Sequence, residues 1–165
     1  MTAFRAGIVL AAVHVLLVGT LGLKLLADRA RLPRAWVRTL PFDPDLPIRG
    51  RYVRLGLEVP LVGRTGSARA GEYRRVRLET AGDRLEGVLD EGGPVRARLD
   101  STGEGLAAAL DEPVAFFIPE HVPDPSVRLA GEELWAEVTV PRAGPPRPIR
   151  LAVRRDGALT PLEIR

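Results

Sequence analysis

The residues able to do nucleophilic, acid–base or metal chemistry are few and scattered. Two histidines and no cysteine are present among 165 residues. His14 lies in an apolar run, so His121 beside Glu120 is the histidine available for catalysis. A zinc site normally needs three or four ligands, and one Glu–His pair does not supply them. Ser126 lies near His121 and Asp124 in a proline-rich loop, but the strained turn that exposes a serine nucleophile is missing. No H-E-x-x-H, G-x-S-x-G or phosphate-binding glycine loop occurs. Gly63-Arg64-Thr65-Gly66-Ser67 lacks the lysine such a loop needs, and Lys24 is the only lysine in the chain. A Ser–Lys dyad or Schiff-base lysine beyond the apolar run is thereby excluded. Carboxylate pairs remain, Asp43 with Asp45 or Glu58 with Glu120, and these act as acid and base only where burial separates their pKa values. The sequence assigns no catalytic residue, no metal ligand and no cofactor.

The element that positions everything else is the N-terminal run. Ala6 to Leu23 contains no charged residue, and Arg5 and Lys24 stand near its ends. A membrane-crossing helix needs roughly 20 apolar residues to span about 30 Å of hydrocarbon. Residues 1–27 are read as an uncleaved signal-anchor with residues 6–26 in the bilayer. The run is longer than a signal-peptide core, and Leu25-Leu26-Ala27-Asp28 offers no small-x-small cleavage site. Positive charge favours the cytoplasmic side, and Lys24, Arg29, Arg31, Arg34 and Arg38 all follow the run. Taken alone, that rule points the domain inward.

Residues 28–40 read as a basic linker and first strand, and residues 41–165 as one domain of ordinary size. The formal net charge is +3, with 24 Lys and Arg against 21 acids. Arg5 and Lys24 sit in the anchor with no acid, so the remainder is nearly neutral. Cations and acids alternate there, unlike the clustered cations and stacking aromatics of a nucleic-acid surface. Nucleic acid is excluded as a partner.

Beyond Arg34 the pattern is β. Tyr52 to Val59 and Tyr73 to Glu79 alternate apolar and polar residues, which puts one set on a core and the other in water. Arg84 to Leu89 and Val95 to Leu99 flank Asp90-Glu91-Gly92-Gly93, a hairpin signal, and Asp156-Gly157 marks another. Val114 to Ile118 and Leu134 to Val140 add strands, while Gly105 to Leu110 reads as one or two helical turns. Prolines spread through the chain argue against long helices. The expected architecture is mainly β, a compact antiparallel sandwich or barrel-like domain after one transmembrane helix. Pro41 to Gly50 and Pro119 to Ala130 read as long loops.

The stretch Leu40-Pro41-Phe42-Asp43-Pro44-Asp45-Leu46-Pro47-Ile48-Arg49-Gly50-Arg51-Tyr52-Val53-Arg54-Leu55 resembles the signature of the bacterial GDYXXLXY-domain proteins. Phe116-Phe117-Ile118-Pro119-Glu120 is similar to a later segment of that family. Arg51 replaces the signature's acidic residue and Leu57 its final tyrosine, so no role of that carboxylate carries over. The resemblance implies a membrane-anchored extracytoplasmic domain without an established activity. It also implies an N-in, domain-out topology, against the charge count. The localisation expected is the cytoplasmic or inner membrane, single-pass, with the domain facing periplasm or exterior.

Two functions from different classes follow. The first is a membrane-tethered β-domain that binds a membrane-protein or envelope partner, through Asp43, Arg49, Gly50, Tyr52, Arg54, Phe117, Pro119, Glu120 and His121. The alternative is an envelope hydrolase using carboxylates or His121. The non-enzymatic reading is the better supported, because the catalytic set is incomplete.

Overall fold

The computed structural model describes residues 2–40, 52–119, 121–141 and 144–164. The loop expected over Pro41 to Gly50, and with it the first half of the signature, lies outside the described residues. The chain divides into two compact units, Met1–Leu32 and Pro33–Arg165.

The first unit is one helix, α1 (Thr2–Arg31). Thirty residues at 1.5 Å each make a rod of about 45 Å, longer than the hydrocarbon core of a bilayer. Among the described residues it is the one helix long and apolar enough to cross a membrane. Val9, Leu16, Val18 and Leu23 are exposed along it, a surface suited to lipid. The polar side chains within the run bond to the helix itself. Thr20 Oγ1 donates to the Leu17 carbonyl at 3.0 Å, and His14 Nδ1 lies 2.8 Å from the Leu10 carbonyl. His14 is thus a tolerated polar residue with a local partner. The helix runs past Ala27, and Pro33, which cannot continue it, precedes the first strand.

The second unit holds ten strands among the described residues. β1 (Arg34–Leu40) pairs antiparallel with β2 (Tyr52–Val62). β2 pairs with β6 (Gly105–Leu110), β6 with β5 (Val95–Thr102), and β5 with β3 (Tyr73–Ala81). β3 pairs with β4 (Arg84–Leu89), which returns to β1 and β2 through short parallel contacts. These six strands close a ring, so the domain is mainly β and barrel-like, as its alternation predicts. β8 (Glu133–Thr139), β9 (Arg147–Arg155) and β10 (Ala158–Pro161) extend antiparallel from β1. β7 (Val114–Phe117) pairs with the start of β2. Val37, Leu55, Leu57, Val59, Val76, Leu85, Leu99 and Ala108 form the core.

Two expectations are corrected. Gly105 to Leu110 is strand β6, not helix: it lies between β5 and β2, and its small side chains Ala107 and Ala108 are buried there. Tertiary pairing overrides the helical preference of alanine. Asp90 to Gly93 also does not join a hairpin, because β3 lies between β4 and β5. Val76 of β3 pairs with Leu89 on one side and Val95 on the other. The connection crosses β3 at Val76, where its pairing passes from β5 to β4, and Gly93 sits so close there that a Cβ would come 2.6 Å from the Val76 carbonyl oxygen. The hairpin at Asp156-Gly157 does form, joining β9 to β10. Both turn residues have positive φ, 50° and 83°, as a tight right-twisting hairpin turn requires.

Candidate functional site

The sequence singles out two segments far apart in the chain, and β2 and β7 bring their described parts together. Tyr52 lies opposite Phe117, Val53 opposite Phe116, Arg54 opposite Ala115 and Leu55 opposite Val114. Alternation puts Val53, Leu55 and Val114 on the core and Tyr52, Arg54, Ala115 and Phe117 on the outward face. The Tyr52 and Phe117 rings meet edge to face, centroids 6.1 Å apart. Phe117 is 78% exposed, the most exposed aromatic among the domain's described residues. Arg54 is exposed beside this pair, and Pro119 is half-buried just beyond it. Asp43, Arg49, Gly50 and Glu120 lie outside the described residues.

His121 is exposed in the loop that follows. Ser126 Oγ donates to Asp124 Oδ1 at 2.7 Å, and the Ser126 N–H bonds the same oxygen at 2.8 Å. That is a local Asx turn, in which the serine hydroxyl is held by the turn's own carboxylate. Glu58, a candidate acid–base residue, is buried and paired with a cation: its Oε2 accepts from Arg38 Nη1 at 3.1 Å. Among the described residues no group of three or more His, Asp or Glu could hold a metal.

A second feature escapes sequence reasoning. The register of β1, β8 and β9 aligns Trp36 with Glu137, Arg38 with Trp135, Trp135 with Ala152, Glu137 with Arg150 and Glu133 with Arg154. These side chains share the outward face of that sheet. Trp36, Arg38, Glu133, Trp135 and Arg154 of this set, with Glu58 and Pro60 of β2 and Arg84 of β4, line a cleft of about 350 Å³. Arg38 bridges Glu58 and Glu133, both at 3.1 Å. Glu133 also accepts from the Trp135 indole N–H at 3.1 Å. The Arg154 guanidinium lies over the Trp135 ring at 5.2 Å, and that of Arg150 over Trp36 at 5.7 Å. Arg150 bonds buried Glu137 at 2.6 Å, and this hydrogen-bonded carboxylate raises the Arg150 pKa above its already high ordinary value. The one available signal was that the chain's only two tryptophans each stand two residues from a charged partner of the cleft, Trp36 from Arg38 and Trp135 from Glu133. The adjacency of β1 and β8, almost a hundred residues apart, was not readable.

No protein-family model matches the chain, and no curated protein or solved structure matches it significantly.

Proposed function

We propose that this protein is a single-pass membrane protein whose β-domain binds another membrane or envelope protein through the outward face of β2 and β7. The observation that carries this reading is Phe117, a large aromatic left 78% exposed on a short strand, with Tyr52 against it and Arg54 alongside. Exposed aromatic and arginine side chains grouped in this way supply most of the energy at protein interfaces. The helix tethers the domain to the bilayer and confines it to partners reachable from the membrane. Kinship with the GDYXXLXY-domain proteins belongs to this reading, and with it the domain's position on the periplasmic or exterior side.

The test is native electrophoresis of the full-length protein extracted from membranes in mild detergent. The wild type runs as a larger complex, and Phe117→Asp returns it to the mobility of the isolated chain with its thermal midpoint unchanged. A complex that survives both Phe117→Asp and the double variant with Tyr52→Ala contradicts the proposal. So does a wild type that runs alone.

A further inference from the structure

We propose that the cleft between Trp36 and Trp135 binds an acidic sugar, a sugar ring carrying a carboxylate or a phosphate. This site is separate from the β2–β7 face and does not depend on it. Two adjoining depressions share four residues: Trp36, Arg84, Trp135 and Arg154. The shared region therefore offers two indoles and two guanidiniums. The larger depression, about 350 Å³, is in the size range of small-molecule sites.

The charges in the cleft are unevenly committed. Arg38 is shared between two carboxylates, Glu58 and Glu133, and Arg150, beside the cleft, is paired with Glu137. Arg84 and Arg154 have no ion pair among the described residues; the Arg154 head rests on the Trp135 ring. A guanidinium fork matches the two oxygens of a carboxylate or phosphate, so these two arginines are the anion-recognising groups. The indoles supply flat apolar walls against which the CH face of a sugar ring stacks. They are held in place before any ligand arrives: Trp135 by its bond to Glu133 and the cover of Arg154, Trp36 by Arg150. Such preorganisation lowers the entropic cost of binding. Glu104, which lines the larger depression without an ion pair among the described residues, adds an acceptor for ring hydroxyls.

The cleft carries its own reporter, because Trp36 and Trp135 are the only tryptophans in the chain. Intrinsic fluorescence of the detergent-solubilised full-length protein is titrated with glucuronate, glucose 6-phosphate, glucose and inorganic phosphate. A saturable change with glucuronate or glucose 6-phosphate is expected, and which of the two binds tells carboxylate from phosphate. Arg84→Gln and Arg154→Gln each raise the half-saturation concentration about tenfold, the loss of one charge-assisted contact. Arg84→Lys, which keeps the charge and loses the fork, falls between, and Arg64→Gln outside the cleft changes nothing. Thermal midpoints of all variants confirm folding. The proposal is overturned if neither charged sugar saturates, if glucose or phosphate alone binds as well, or if folded Arg84 and Arg154 variants bind like wild type.

Discussion

Arg38 and Glu58 face each other where β1 meets β2, Nη1 and Oε2 3.1 Å apart, so one ion pair marks the closure of the ring and lines the cleft beside it. Glu58 is buried at 9% exposure, whereas nearly half of the Arg38 side chain remains in water. The asymmetry sets the energetics. Removing the arginine strands a buried carboxylate, while replacing both partners with apolar groups removes the problem. Arg38→Met is expected to cost about 2 kcal/mol, and Arg38→Met with Glu58→Leu recovers most of it. Thermal unfolding checks this: the single variant melts roughly 4–8 °C lower and the double variant close to wild type. Equal losses in both would mean that the pair contributes little and the site matters only for packing.

Gly93 is a steric requirement. An added Cβ would meet the Val76 and Asp90 carbonyl oxygens at 2.6 and 2.8 Å, while one at neighbouring Gly92 meets nothing closer than 3.5 Å. Gly93→Ala should therefore cost about 1–3 kcal/mol, the usual penalty of overpacking. Gly92→Ala should be nearly neutral, since a surface change away from such contacts stays within about 0.5 kcal/mol. Urea unfolding of the two variants separates them, and equal midpoints would show that β4 and β5 are not held apart by a tight crossing of β3.

The proposed orientation makes its own prediction. Protease added to the outer side of sealed membranes should trim the tagged chain to a fragment the size of α1. Full protection of the domain would place it in the cytoplasm, where the arginines at the end of the anchor would obey the positive-inside bias after all.

How far the sequence can be read depends on the range of the interactions. The helix and most strands were legible because apolar runs and alternation are local. Asp156-Gly157 was legible as a turn for the same reason. Asp90 to Gly93 looked equally local, yet the strand that separates β4 from β5 comes earlier in the chain and is brought in by pairing. Ala107 and Ala108 favour helix by themselves, and only their burial between two strands decides otherwise. At the candidate face, residue types flagged Tyr52 and Phe117 separately; their edge-to-face contact is a matter of register. The tryptophan cleft was largely illegible because most of its contacts are such cross-strand relations.

The most direct test of the binding role is site-specific photocrosslinking. A photoreactive residue replaces Phe117 in the full-length protein in its native membranes, and a second version carries it at Glu163, exposed near the far end of the chain. The account predicts one discrete adduct from position 117 that disappears when Tyr52→Ala and Arg54→Ala are added, and none from position 163. No adduct from 117, or the same adducts from both positions, would contradict it.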